Sequence, residues 1–331
     1  MTVRSDLRKI NRTSESEEFP AVILIDNCNA CNLRCSMCDH KNMKQYRKIQ
    51  TMEMELYKRI IDEIAVENKN ARVWEIFFGE PFLCVDIAER VRYAKLKGLQ
   101  DVVLNSNGVL MTESRSKALI EAGLDAMYVG IDAALADTYN QIRVGGNLEK
   151  AVTNVLRYRD LLRQHGNGKQ KLFVQFVVSD INESEVEAFK TFWSQRQVNV
   201  KIRPKVSWAG LVEATNIAEN ERVKRRPCYW LMRTINICAD GRVALCSGDV
   251  HCRVPCGDAK RQSLKEIWQG VLRDYRRMHR QEKFEELPPM CSNCGDWQSA
   301  YADFVLSDGA IGKGGKGECV KDGGEDGDGG K

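Results

Sequence analysis

The chain has 331 residues, with 50 Lys and Arg against 46 Asp and Glu, so it lacks the basic surplus with which a nucleic-acid-binding protein holds phosphate. No run of 18 apolar residues occurs and the start, MTVRSDLRK, is polar rather than a signal core, which argues against a membrane-spanning helix and for a cytoplasmic protein. Thirteen cysteines in such a chain read as metal ligands or catalytic groups, because a reducing compartment disfavours disulfides.

Residues 1–19 form a polar N-terminal extension. The first apolar run, AVILID at 21–26, reads as a strand, and CNLRCSMC at 31–38 falls in the loop after it. MEMELYKRIIDEIAVE (52–67) carries apolar residues at spacings of three and four, a helix pattern. RVWEIFF (72–78) reads as a second strand running into Gly79-Glu80-Pro81, and IAERVRYAKLKG (87–98) as a second helix. DVVLN (101–105) leads into Asn105-Ser106-Asn107-Gly108, and AMYVGI (126–131) leads into Asp132 and then YNQIRVGG with Arg143. KLFVQFVV (171–178) and VNVKIRP (198–204), with Lys205 behind it, complete the series. Six strands alternating with helices predict an α/β fold over residues 20–206, a parallel sheet with right-handed crossovers curved into a partial (β/α)6 barrel. In such folds the loops after the strand C-termini build the active site, and the cysteine triplet sits in the first of them.

From residue 207 to 306 the rhythm changes to a small second domain. TINICADGRVALC (234–246) reads as two strands around a turn at Ala239-Asp240-Gly241. SLKEIWQGVLRDYRRMHRQ (263–281) is amphipathic, with Ser263 and Glu266 as a capping box, and PPMCSNC follows at 288–294. Residues 307–331 are rich in Gly and charge, a composition that predicts disorder and sets Cys319 aside as a ligand.

Apart from Cys84 and Cys319, the cysteines form an early group (Cys28, Cys31, Cys35, Cys38) and a late one (Cys228, Cys238, Cys246, Cys252, Cys256, Cys291, Cys294). Cys31, Cys35 and Cys38, spaced C-x3-C-x2-C, suit three irons of a [4Fe–4S] cluster and leave a fourth iron open to a small chelating molecule. A zinc site is the alternative, and it needs a further ligand.

The triplet resembles the cluster motif of the radical S-adenosylmethionine (SAM) superfamily, and the resemblance extends from the first strand to Cys294. It implies that the open iron binds the amino and carboxylate groups of SAM. It also implies reductive cleavage of SAM to a 5′-deoxyadenosyl radical that abstracts a substrate hydrogen. Met37 stands where the family often has an aromatic residue, and its thioether can pack on adenine. Gly79-Glu80-Pro81 resembles the family's GGEP stretch, which holds the SAM amino group, with Phe78 in place of the first Gly. Asn105 to Gly108, with Asn107, resembles the TNG segment. Asp132 and Arg143 resemble positions near the ribose and the SAM carboxylate, and an Arg fork suits a carboxylate.

Cys228, Cys246, Cys291 and Cys294, with the stretch Asp240-Gly241-Arg242-Val243-Ala244-Leu245-Cys246, resemble the SPASM/twitch extension of the same superfamily. Where a full SPASM domain has further cysteines after its C-x2-C pair, this chain reads GDWQSAYADF. The resemblance therefore implies one auxiliary [4Fe–4S] cluster fully held by these four cysteines, with structural zinc as the alternative. Cys238, Cys252 and Cys256 are left as packing residues or as hydrogen-atom donors.

The single-cluster arrangement is similar to the 2-deoxy-scyllo-inosamine dehydrogenase family. That likeness implies oxidation of a secondary alcohol of a sugar or aminocyclitol to a ketone, with one electron passing to the auxiliary cluster and Arg203 or Lys205 as the base. The runner-up is an epimerase of a sugar or peptide, with Cys252 or Cys256 returning hydrogen. Peptide modification is a third option, made less expected by the first strand's beginning at residue 21. A non-catalytic metal-binding scaffold is the reading from a different class. The partners expected are a small-molecule substrate (sugar, aminocyclitol or peptide) and an electron donor such as flavodoxin or ferredoxin, with neither nucleic acid nor membrane.

Overall fold

Six strands pair in parallel in the order in which they occur: β1 (Val22–Ile25), β2 (Arg72–Trp74), β3 (Asp101–Ser106), β4 (Ala126–Gly130), β5 (Lys171–Val178) and β6 (Asn199–Pro204). The computed structural model describes residues 17–214, 224–301 and 305–307. Because β1 and β6 do not pair, the sheet curves without closing, the partial barrel expected from the sequence.

Alternation along the strands divides the two faces. Ile23, Ile25, Leu104, Val129, Val174 and Phe176 point outward into the main apolar core under the helices. The helix Met54–Glu67 buries Leu56, Tyr57, Ile60, Ile61 and Ile64, and Leu148–His165 buries Ala151, Val155, Tyr158, Leu161 and Leu162. Each such aliphatic or aromatic side chain contributes about 1.5–3 kcal/mol when taken fully out of water. The inward face carries Trp74, Tyr128 and Phe173, packed in sequence with ring centroids 5.0 and 4.9 Å apart. This aromatic layer forms an apolar floor to the barrel. Polar residues lie above it toward the strand C-termini, where Gln175 Nε2 donates to Asn105 Oδ1 at 2.7 Å.

The second domain continues the same sheet instead of standing apart. β7 (Thr234–Ile237) pairs in parallel with β1, from Val22 opposite Thr234 to Ile25 opposite Ile237. β8 (Arg242–Ala244) and β9 (Pro255–Asp258) extend it antiparallel. At the other edge β10 (Val305–Ser307) runs antiparallel to β6. The expected hairpin turns at Gly241, whose φ of 92° favours glycine. The expected capping box of Ser263 and Glu266 heads the helix Leu264–Gln269. The last described residues are those of β10, and the tail beyond it, with Cys319, lies outside the described residues, as does most of the N-terminal extension. Among the described residues no helix is long and apolar enough to cross a membrane.

One expectation needs correction. The run RVWEIFF reads as strand throughout, yet β2 stops at Trp74. The Glu75 carboxylate is fully buried and accepts from Asn27 Nδ2 (2.6 Å) and Tyr57 Oη (2.7 Å), which turns the chain toward the exit of β1. Residues 76–80 then cross the top of the sheet. There Gly79 lies so close to the first loop that a Cβ on it would stand 2.4 Å from the Cys28 carbonyl and 2.9 Å from that of Ala30.

Gly79→Ala must therefore displace backbone, and we expect it to cost about 1–3 kcal/mol in urea unfolding. Ile237, fully buried in β7, tests the continuity of the sheet. Ile237→Ala should lower stability by about 2–5 kcal/mol and shift one cooperative transition of the whole chain. Two separated transitions, of which only one moved, would show that the domains fold apart.

Candidate active site

The loop after β1 is closed at its base before any cysteine is reached. Asp26 and Arg47, both buried, form an ion pair at 2.6 Å. Burial raises the Asp26 pKa, and Arg47 and the Phe78 N–H oppose that rise. Asn29 Oδ1 accepts from Gln50 N (2.7 Å), Asn29 Nδ2 donates to the Lys48 carbonyl (2.9 Å), and Cys28 bridges to Thr51. Cys31, Cys35 and Cys38 thus sit on an excursion fixed at both ends. Arg34 N donates to Val144 O and Ser36 N to Ile142 O, each at 2.9 Å, which ties the excursion to the segment after β4.

That segment delivers Arg143. Its guanidinium ion-pairs with buried Asp132, and Nη1 lies 3.6 Å from Cys35 Sγ. Asp132 is held in turn by Val177 N, which donates to Oδ1 at 2.7 Å. Gly130 makes the crossing possible, since a Cβ there would meet Arg143 Nη2 at 2.1 Å. No local pattern marks this glycine.

Glu80 joins the exits of β2 and β3. Its Oε1 accepts from Ser106 Oγ (2.8 Å) and Phe82 N (3.1 Å), and its Oε2 from Asn107 N (2.8 Å). Burial raises its pKa and these donors pull it back. Asn107 Nδ2 then reaches Asn32 Oδ1 in the cysteine loop at 2.9 Å. Gly79 spares its Cβ for the backbone of residues 28–30.

These walls enclose a cleft with about 860 Å³ of empty space, open to solvent. Cys31, Cys35, Cys38, Met37, Gly79, Glu80, Asn105, Asn107, Arg143, Arg203 and Lys205 all line it. Pro81 and Asp132 stand behind the lining, Pro81 opening a short turn that Glu80 caps. Ser106, from the segment Asn105 to Gly108, lines it too, as does Trp208, which no sequence pattern singles out. Trp208 Nε1 donates to the Met37 carbonyl at 2.9 Å, and both Trp208 and Ala209 take left-handed φ values, 53° and 54°. Asp296 holds this bent strap through Ser207 N (2.6 Å) and Ala209 N (2.8 Å). Asp296, 89 residues from Ser207, left no local signal either.

The cleft's chemistry suits a cluster with an anionic chelating ligand. Burial pushes the thiols of Cys31 and Cys38 up to about 11 and about 12, so they are protonated until a metal displaces the proton. Arg143 and Arg203 each bury an Nε with no hydrogen-bond partner. A buried guanidinium group in that condition calls for an oxygen acceptor such as a carboxylate or hydroxyl.

The second cysteine set lies away from the cleft. Cys228 precedes the helix Tyr229–Arg233, Cys246 follows β8, and Cys291 and Cys294 flank the end of the short helix Pro289–Ser292. Burial raises all four thiols, and Cys228, Cys291 and Cys294 each raise Cys246 further, as sulfurs drawn together must. Among the described residues no three His, Cys, Asp or Glu groups converge tightly enough to share a single ion. Thiolates spread around a multi-iron cluster stand farther apart than that. Cys252, at φ 53°, lies beside Cys238 in an apolar cluster with Phe77 and Phe78, and their thiols hydrogen-bond to each other. Cys256 Sγ donates to Val254 O at 3.5 Å. Neither Cys252 nor Cys256 lines the cleft.

Comparison with known proteins agrees with this division. Residues 28–192 match the Radical SAM superfamily, and residues 228–295 match SPASM, an iron-sulfur cluster-binding domain. An uncharacterized protein of Treponema pallidum is 30% identical over 220 residues, covering 63% of this chain and 60% of that protein. A GTP 3′,8-cyclase of Lactiplantibacillus plantarum is 26% identical over 221 residues, covering 65% and 60%. The chain thus spans about three fifths of either relative. Among solved structures, BtrN in complex with AdoMet and 2-DOIA has a TM-score of 0.58 at 16% identity, covering 84% of this chain and 94% of that one. SuiB of Streptococcus suis, bound to its precursor peptide SuiA, has a TM-score of 0.65 at 12% identity, covering 82% and 69%. At these identities the two structures speak for the fold. SAM and [4Fe–4S] clusters are the cofactors that the two matched domains use. With its cysteine-bearing first loop, partial barrel and C-terminal iron–sulfur domain, the chain belongs to the radical SAM superfamily as a member carrying a SPASM domain.

Proposed function

We propose that this radical SAM enzyme is a dehydrogenase that oxidises a secondary alcohol of a sugar or aminocyclitol to a ketone. The observation that carries the reading is the separation of the cysteines: three line the cleft and four meet behind it. On this reading Cys31, Cys35 and Cys38 hold the SAM-binding cluster, while Cys228, Cys246, Cys291 and Cys294 fill every protein ligand position of the second. When bound, these groups supply a hydrogen-abstracting radical at the cleft and a one-electron acceptor behind it.

The chain's own residues then have three tasks. Arg143, against Cys35, places positive charge beside the thiolates and offers its unpartnered Nε to an anionic ligand. Arg203, at the end of β6, faces the cleft with a buried Nε free for a substrate hydroxyl oxygen. A fixed cation there favours the deprotonated oxygen, which eases removal of an electron from the adjacent carbon. Arginine keeps its own proton, so Arg203 is the electrostatic partner and a poor base. Lys205, which rims the cleft, supplies the base. Lys201, two residues before Arg203 on the same face of β6, stands outside the lining, above the Tyr128 ring at 5.2 Å, where burial and the neighbouring Arg203 bring its pKa down to about 8. An epimerase would need a hydrogen donor at the cleft, and Cys252 and Cys256 stand outside its lining.

Anaerobically reconstituted protein with a chemical or flavodoxin reductant, screened against sugars and aminocyclitols, should yield a product two mass units lighter than its substrate. A product of unchanged mass that gains deuterium from D2O would mean epimerisation instead. Arg203→Ala should reduce kcat about 10²-fold or more with iron content unchanged. Lys205→Met should lower kcat about 10²-fold with iron content unchanged, and an unaltered kcat in this variant would remove Lys205 from the mechanism.

A further inference from the structure

The amphipathic stretch around residues 271–280 carries a histidine that the reading above does not use. The helix Val271–Arg280 turns Leu272, Arg276 and His279 inward, at spacings of four and three, and His279 is fully buried. Its two ring nitrogens meet two different members of the second cysteine set. Cys228 N donates to Nδ1 at 3.3 Å, and Nε2 lies 3.3 Å from Cys291 Sγ. A backbone N–H can only donate, so Nδ1 is the bare nitrogen and the ring proton sits on Nε2, aimed at the sulfur. The orientation is fixed from behind, where the imidazole packs edge-on against Phe284 with ring centroids 5.5 Å apart. Arg225, over the same Phe284 ring at 4.5 Å, donates through Nη2 to the Cys291 carbonyl at 2.6 Å. Cys291 therefore receives one N–H at its sulfur from buried His279 and a guanidinium at its backbone from half-buried Arg225. Among the described residues Cys294 Sγ accepts a backbone N–H alone, from Asp296 at 3.3 Å.

We propose that His279 is a positioning residue for Cys291, whose Nε2–H···S hydrogen bond orients the sulfur and raises the reduction potential of the cluster that Cys228, Cys246, Cys291 and Cys294 hold. The inference rests on the auxiliary-cluster assignment made above. A donor on a thiolate sulfur draws negative charge from the metal–sulfur bond, and the reduced cluster, carrying one more negative charge, gains more from it than the oxidised one. By spanning Cys228 and Cys291, the imidazole also fixes two ligands 63 residues apart in relative position.

The test compares holo wild type with His279→Phe and His279→Gln by iron count, spectroelectrochemical titration of the auxiliary cluster, and resonance Raman of its Fe–S stretches. His279→Phe keeps the packing and loses the donor. It should retain the iron and shift the oxidised-to-reduced ratio about tenfold toward oxidised at a given potential, about 59 mV for one electron. His279→Gln can still accept from Cys228 N and donate to Cys291, and it should recover most of the shift in both potential and Fe–S frequencies. A His279→Phe cluster with wild-type potential and frequencies would overturn the proposal. So would loss of the auxiliary iron from both variants, which would make His279 a folding residue only. Failure of the underlying assignment shows separately, as wild-type protein that holds only the cleft cluster.

Discussion

Everything at the mouth of the barrel depends on one backbone contact, Gly79 pressed against the carbonyls of Cys28 and Ala30. No side chain fits between these segments, so the exit of β2 is set directly upon the exit of β1. From that contact the positions of the other groups follow in order. Glu80 N donates to Ala30 O at 2.7 Å, the Glu80 side chain grips Ser106 and Asn107 at the end of β3, and Asn107 reaches back to Asn32 in the cysteine loop. The circuit closes on itself within buried polar groups. Satisfied networks of this kind are rigid, and each member left unpaired would cost its full desolvation. A loop that must hold three thiols in fixed relation needs this rigidity more than it needs net stabilisation.

The two cysteine sets belong to one mechanical unit. β7 lies beside β1, so the sheet that launches the first cysteine loop also launches the second domain. A second tie runs across the top, where Trp208 holds the Met37 carbonyl and Asp296, two residues past Cys294, holds the same strap by Ser207 and Ala209. Two successive non-glycine residues at left-handed φ store strain, which persists only where surrounding contacts over-determine it. Here the contacts come from both domains. The separation between a cleft that receives ligands and a closed four-cysteine set is therefore fixed by the fold, in keeping with radical generation on one side and electron storage on the other.

What the sequence disclosed follows from the range of each interaction. The strands were legible because parallel strands covered on both faces read as apolar runs. The cysteine triplet was legible because its three members lie within eight residues, and the second set because its C-x2-C pair and its Asp-Gly turn are local patterns. Phe77 and Phe78 misled, because their apolarity reads as strand while they in fact pack beside Cys238 and Cys252 of the second domain. Arg47, Trp208, Asp296 and His279 were illegible for one reason. Each acts on a partner between 12 and 171 residues away, and the residue types alone carry no address. The donor roles expected of Cys252 and Cys256 came from residue type in the same way, and burial away from the cleft withdraws their support.

The central claim is that two separate clusters share this chain, one open toward the cleft and one closed behind it. Iron and sulfide counts on anaerobically reconstituted protein address it most directly. The account predicts about eight irons per chain, falling to about four in the double variant Cys291→Ala, Cys294→Ala, with the SAM-responsive signal of the remaining cluster intact. A count of about four in the unmodified chain, unaltered by the double substitution, would contradict it.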